Sequence, residues 1–290
     1  MIIGVHHLGL ACDRGKAAWL DHLAIEASPP WLTCANVRVL CRESEPSATT
    51  SPRPVALPGI AHICLQSGDI NDGLERGKAA GLVPISRPVD LGTPFRYLYA
   101  HTSDGILLEL EGAPFVRDLT YCYWVGHVAY VTRDIVSLVD FYARALGLSP
   151  SGLSRFSGNA RIDQVAGLAD VDVSAMWLPG LNIGLEFWQY HNPPPPSLDE
   201  IPATGFSHVC FQCNDFAADC ARVLIQGAIQ AEPLELDLNG CDIASFTDPE
   251  GNHFSLLAFH QAGHPLSVET LPNKGLLAEI SAQLAASVAR

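Results

Sequence analysis

The sequence predicts an α+β protein built from four β-α-β-β-β modules. Three observations predict it. A stretch of chain repeats at an offset of 146 residues, a histidine-bearing opening recurs four times, and each opening leads into a capped helical segment followed by strand-like runs.

The repeat aligns Pro58-Gly-Ile-Ala-His62-Ile-Cys-Leu-Gln66-Ser-Gly-Asp69 with Thr204-Gly-Phe-Ser-His208-Val-Cys-Phe-Gln212-Cys-Asn-Asp215. It runs on without a gap: Arg76 meets Arg222, Gly81 meets Gly227, Gly105 meets Gly251 and Leu110 meets Leu256. Two further openings are Gly4-Val-His-His7-Leu-Gly-Leu-Ala-Cys-Asp13 and Tyr123-Trp-Val-Gly-His127-Val-Ala-Tyr-Val-Thr-Arg-Asp134.

The helical candidates are Lys16–Leu23, Asn71–Ala80, Ile135–Leu146 and Phe216–Gln226. Asp69, Asp134 and Asp215 stand at N-cap positions, where a side-chain oxygen accepts from a free backbone N–H. Gly81, Gly147 and Gly227 stand where helices stop. Strands are expected at Arg96–Ala100, Ile106–Glu111, Ala175–Leu178, Ile183–Tyr190, Ile243–Phe246 and His253–Phe259.

Ser44–Pro58, Gly112–Leu119 and the tetraproline-bearing His191–Gly205 read as connectors. His7 to His62 is 55 residues, whereas His127 to His208 is 81. Module one is therefore expected to lack a strand or hairpin. Leu271–Arg290 reads as a terminal amphipathic helix.

Composition narrows the function classes. The chain has 290 residues, 17 Lys+Arg against 31 Asp+Glu, and a net charge of −14. That balance argues against a nucleic-acid or anionic-membrane partner, both of which need clustered cations. With 48% hydrophobic and 17% charged residues the chain can build real cores. No run reaches the roughly 18 apolar residues that span a bilayer. Met1–His7 lacks the features of a secretory signal. Nine cysteines, an odd number with Cys210-x-x-Cys213 as the tight pair, fit reduced thiols in a cytoplasm and no structural disulfide.

Four such modules, each opening with a histidine on its first strand, resemble the vicinal oxygen chelate superfamily, which includes glyoxalase I, methylmalonyl-CoA epimerase, the fosfomycin and bleomycin resistance proteins and the type I extradiol dioxygenases. The resemblance covers about residues 2–260 and is carried by Phe141-Tyr-Ala-Arg-Ala-Leu-Gly147-Leu, Met176-Trp-Leu-Pro-Gly180, Leu185-Glu186-Phe-Trp-Gln-Tyr190 and the hairpin Asp248-Pro-Glu-Gly-Asn252. It implies modules paired into two open barrels, with residues 1–112 as the N-terminal barrel, 120–260 as the C-terminal one and 261–290 as a tail helix. A divalent metal would sit inside, held by first- and last-strand residues.

Carried over position by position, the resemblance makes His7, His62 and Glu109 metal ligands in the N-terminal half and His127, Glu186 and His208 in the C-terminal half. Ser255 stands where module four would carry its carboxylate, because His62 to Glu109 and His208 to Ser255 are both 47 residues. Module one's matching position falls within Val37–Cys41 and has none. Each half is thus expected to offer two His and one Glu.

A lone strand histidine is ordinarily a hydrogen-bonded core residue; four at equivalent repeat positions point to metal. His6 is the alternative to His7, on the opposite face because strands alternate. Two His and one carboxylate leave positions open for a bidentate substrate and O2. The first expectation is therefore an extradiol-type, Fe(II)-dependent ring-cleaving dioxygenase, an oxidoreductase. Tyr99 lies ten residues before Glu109, the spacing at which such enzymes place a tyrosine on the catechol oxygen, while Ser245 stands at that position in the C-terminal half.

The alternative is a glyoxalase- or epimerase-like lyase or isomerase, whose Mn, Ni, Co or Zn ion stabilises an enediolate. A metal-free ligand-sequestering protein is the third. Tyr99 and His101 are the candidate pocket acid–bases, with His253 beside them, and surface positions are equally open to both histidines. The expected partner is a small oxygenated organic substrate, and a homo-oligomer is compatible with the sequence. Cys64 and Gln66 share His62's face, Glu111 shares Glu109's, and Trp188 and Tyr190 share that of Glu186, as ligand-orienting, pocket-lining or core residues.

Overall fold

The computed structural model describes residues 1–13, 19–44, 51–196, 202, 204–232 and 238–288. Each of the four openings is a first strand, and each module follows the expected order. Module one comprises β1 (Ile2–Cys12), α1 (Trp19–Leu23), β2 (Glu26–Ser28), β3 (Trp31–Thr33) and β4 (Arg38–Glu43). Module two comprises β5 (Gly59–Ser67), α2 (Ile70–Ala79), β6 (Val83–Pro84), β7 (Arg96–His101) and β8 (Leu107–Gly112). Module three holds β9 (Trp124–Val131), α3 (Ile135–Leu146), β10 (Ser154–Ser157), an inserted α4 (Ala160–Ala166), β11 (Asp172–Leu178) and β12 (Gly184–Asn192). Module four holds β13 (Gly205–Cys213), α5 (Phe216–Ile225), β14 (Ile229–Ala231), β15 (Cys241–Thr247) and β16 (His253–Phe259).

Module one keeps all its strands, contrary to the expected loss. It is short because β2 and β3 have three residues each. Residues 16–18 of the expected first helix lie outside the described residues.

The helix signals act as read. The side chains of Asp69, Asp134 and Asp215 accept from Asn71, Ser137 and Ala218 N–H groups. Gly147 closes α3 at φ 72°, in the left-handed region where a Cβ is penalised. The tail helix is α6 (Leu276–Val288), whose Leu276 and Ile280 are buried with Ala113, Val116 and Trp124.

The strands form two eight-stranded sheets. One runs β14-β15-β16-β13-β1-β4-β3-β2, the other β10-β11-β12-β9-β5-β8-β7-β6. Within every module the first strand is parallel to the last. Modules then meet through antiparallel first strands, β1 on β13 and β5 on β9. Module one therefore pairs with four and module two with three, and the expected division at residues 1–112 and 120–260 is corrected. The physical reason is degeneracy: four similar first strands can pair in more than one way, and the repeat encodes module identity without partner choice.

Two asparagines interlock the sheets. Asn182, before β12, accepts from Val5 N–H at 2.7 Å and donates to the Val5 carbonyl at 2.9 Å. Asn36, before β4 and 146 residues earlier, donates to the Val125 carbonyl at 2.7 Å and accepts from its N–H at 3.2 Å. Each asparagine also donates to the other's carbonyl, at 2.9 and 2.7 Å. Both are buried, so each satisfies backbone groups that water cannot reach.

Strand alternation divides the labour. In the sheet of modules two and three, Ile63, Leu65, Leu108, Leu110, Val128, Tyr130, Leu185 and Phe187 join one apolar core with helix residues and with the other sheet's Leu8, Leu10, Val209 and Phe211. The opposite face carries His62, Glu109, His127 and Glu186. Among the described residues no helix is long and apolar enough to cross a membrane.

Candidate metal centre

Strand register gathers the site. In module two Cys64, two residues after His62, pairs with Glu109. In module three Ala129, two residues after His127, pairs with Glu186. The antiparallel β5/β9 pairing sets His62 opposite Ala129 and so brings the two half-sites face to face. One donor atom from each of His62, Glu109, His127 and Glu186 lies within 4.8 Å of all the others. His127 Nε2 stands 2.9 Å from Glu109 Oε2 and 3.0 Å from Glu186 Oε2. His62 Nε2 is 3.4 and 3.8 Å from the same two oxygens. The expected division of ligands is thereby corrected, from three per half to four in one sheet, drawn half from each.

The donor set fits a divalent cation. Two imidazoles and two carboxylates are common ligands for Zn, Ni, Co, Mn or Fe. Both ring nitrogens of His62 and Glu186 Oε2 are buried without hydrogen-bond partners, as expected of atoms reserved for another ligand. Burial works against charge on His127, but Glu186 and Glu109 outweigh it and hold its pKa well above the usual imidazole value. For Glu109, burial is outweighed by the hydrogen bond with His127 and the nearby His62 imidazole, which bring it to about 2.

Neighbouring residues orient the ligands. Trp177 Nε1 donates to Glu186 Oε1 at 2.8 Å, turning Oε2 inward. Behind Glu109, Gln66 Nε2 and Cys64 Sγ approach Glu111 Oε2 at 2.6 and 3.3 Å, and Trp124 Nε1 donates to Gln66 Oε1 at 2.6 Å. Gly126 leaves room for this chain, since a Cβ there would stand 2.7 Å from the Gln66 side chain. Burial, then the neighbouring Glu109, push Glu111 up to about 7.

Glu109, His127 and Glu186 open onto a cavity of about 380 Å³. Tyr99, cross-strand from Glu109, lines it with its ring centroid 5.0 Å from that of His62. Trp188 and Tyr190 also face the cavity, not only the core. His101 does not. Its Nε2 meets the Arg53 carbonyl at 2.9 Å, and it borders a separate groove with Ile85 and Pro193, because β7 carries it past the cavity floor. His253 borders another groove with Arg53 and Ser207. The inserted α4, not anticipated from the sequence, supplies Ile162, Val165 and Ala166 to the cavity wall. Its signals were present: Asn159 caps the start, and Gly167 at φ 66° ends it.

The other sheet repeats the geometry without the carboxylates. Gly9 and Cys210, two residues after His7 and His208, pair with Leu40 and Ser255. His7 Nε2 instead meets His208 Nε2 at 3.0 Å, and His7 Nδ1 meets His6 Nδ1 at 2.7 Å. Burial first, then neighbouring cationic groups, push His6 to about 3 and His208 to about 4, so the histidines are neutral near pH 7. His6, His7 and Cys210 have donor atoms within 4.8 Å of one another, but among the described residues no carboxylate joins them.

Residues 126–244 match the family model of the Glyoxalase/Bleomycin resistance protein/Dioxygenase superfamily. Glyoxalase I from Zea mays shares the fold, with 16% identity, coverage of 97% of this chain and 96% of that one, and a TM-score of 0.63. A Bacillus subtilis protein provisionally assigned as a dioxygenase shares 11% identity over 97% of this chain and 96% of its own, with a TM-score of 0.54. No curated protein matches the sequence. The matched segment and the shared fold agree with the resemblance to the vicinal oxygen chelate superfamily.

Proposed function

We propose that the protein is a metal-dependent lyase or isomerase of the glyoxalase or epimerase kind, acting on a small substrate that chelates through two vicinal oxygens. One observation carries this reading: His62, Glu109, His127 and Glu186 converge as four donors in one place. Four protein donors would leave an ion room for a substrate's two oxygens more readily than for a substrate and O2 together. The dioxygenase expectation rested on three ligands and loses that support here. A divalent ion at this centre would act as a Lewis acid on the substrate carbonyl.

The chain's own residues supply the rest. His62 and His127 hold the centre from neighbouring first strands. Glu186, steered by Trp177 through Oε1, is the candidate ligand carboxylate that would give up its place at the centre to accept the proton from the carbon beside the carbonyl. Tyr99 and the aromatic walls keep water from the reacting carbon.

The test combines two measurements on the protein loaded with Zn, Ni, Co or Mn. Deuterium uptake from D2O at the carbon beside the carbonyl of a small ketol is expected, and Glu186→Gln should abolish it. Oxygen consumption with catechols on the Fe(II)-loaded protein, without such exchange, would return the dioxygenase to first place.

A further inference from the structure

We infer that the cavity selects uncharged, ring-bearing substrates and rejects those carrying a carboxylate or phosphate tail. The inference rests on the chelating reading above and adds the chemical class. Three features of the cavity carry it.

The first is charge. Among the described residues that line the cavity none is Lys or Arg, while Glu109, Glu111 and Glu186 all do. A divalent ion would offset the two ligating carboxylates, and Glu111 supplies no positive charge for an anionic tail. An anionic tail would enter a buried acidic chamber with no cation to meet it, and an unpaired buried charge is costly. The arginines on adjoining elements are committed elsewhere. Arg96 Nη2 lies 3.1 Å from Asp90 Oδ2, and Arg161 Nη1 donates to the Asp90 carbonyl at 2.9 Å.

The second is the wall. Beyond the ligands, Tyr97, Phe156, Trp188 and Tyr190 present aromatic surface. Rings of this kind favour stacked or edge-on contact with another ring. The third is closure. Helix α4, which modules one, two and four lack among their described residues, seals one side with Ile162 and Val165. A cavity of 380 Å³ accommodates a substituted ring with a two-carbon ketol and leaves no room for a long polar carrier.

The experiment titrates three ligands into the full chain, with and without bound zinc, following the tryptophan fluorescence of Trp177 and Trp188. The ligands are 2-hydroxyacetophenone, its 4-carboxy derivative, and hydroxyacetone, which share one ketol. The neutral aryl ketol should bind at least tenfold more tightly than either of the others. A Thr93→Lys variant, which places a cation at the exposed rim, should improve binding of the carboxylated ligand alone. Equal or tighter binding of that ligand to the unaltered protein overturns the inference, as does a lack of measurable aryl-ketol binding at millimolar concentration. Zinc is titrated alone in a separate calorimetric measurement. Failure of zinc to bind sinks the metal reading, whereas the ligand order, measured with and without zinc, decides the cavity's selectivity by itself.

Discussion

The two sheets are built alike and chemically opposite. Both pair two modules through antiparallel first strands, and both bring two histidines to the same register. In the sheet of modules two and three the last strands supply Glu109 and Glu186. In that of modules one and four the matching positions are Ser255 and Leu40. Without carboxylates the histidines turn to each other: His7 bonds His208 and His6, and Trp31 packs edge-on to both His6 and His7. Backbone geometry alone therefore does not make a metal centre. The carboxylates hold the imidazoles apart and poised, and their loss lets the site close on itself.

The largest expected effect tests that contrast directly. Glu109→Ala or Glu186→Ala should weaken zinc or manganese binding by ~100-fold or more, since removing even an outer support of a metal ligand costs roughly 10–100-fold. Ser255→Ala should leave stoichiometry and affinity unchanged. Calorimetric titration reads both, and a wild-type stoichiometry that drops with His208→Leu would place metal in the wrong sheet.

Next comes the interlock between the sheets. Asn36→Ala and Asn182→Ala should each destabilise by about 1–3 kcal/mol, because each leaves buried backbone groups unpaired. Urea unfolding measures this, and unchanged midpoints would show that the sheets do not depend on the pair.

The silent sheet should also set an acid limit. His6 and His208 have folded-state pKa values near 3 and 4, below their ordinary 6.5. Below that ordinary value the unfolded chain binds protons that the folded one refuses. Their stabilising contribution is whole above pH 6.5 and declines as pH falls toward 4, by about 1.4 kcal/mol per pH unit for each proton at full difference. His208→Leu should flatten that decline, as measured by denaturation at pH 4.5 to 7. An identical slope in the variant would remove His208 from the account.

The smallest effect checks the likeness instead of the difference. Asp69→Ala in one sheet and Asp215→Ala in the other should each cost about 1 kcal/mol, as lost N-caps do. Thermal unfolding that separates the two by several-fold would mean that the repeated caps are unequally supported.

Local chemistry made most of the fold readable. Asp134 and Gly147 delimit α3, and His253–Phe259 is a strand end to end. The histidines and glutamates were legible because strand spacing carries them into register. The pairing of modules was not. It depends on contacts such as Asn36 with Val125, which join residues 89 apart and leave no periodic trace. That one ambiguity split the four ligands into two incomplete sets and tilted the chemistry toward oxygen. His101 misled for a simpler reason: two residues beyond Tyr99, it shares a strand face with the site but lies past its edge.

The order of pairing also has a consequence for biogenesis. Modules two and three are bracketed by one and four, as an inner parenthesis sits within an outer one. Once Asn192 has been made, every strand of the inner sheet exists. The free edge of β1, synthesised first, must wait for β13, whose first residue is Gly205. At roughly 5–20 residues per second that delay is on the order of 10–40 s. The nascent chain thus completes the half that carries the four candidate ligands while the half lacking carboxylates at those positions is still open, and β1 spends that interval with one edge unpaired and in need of shielding.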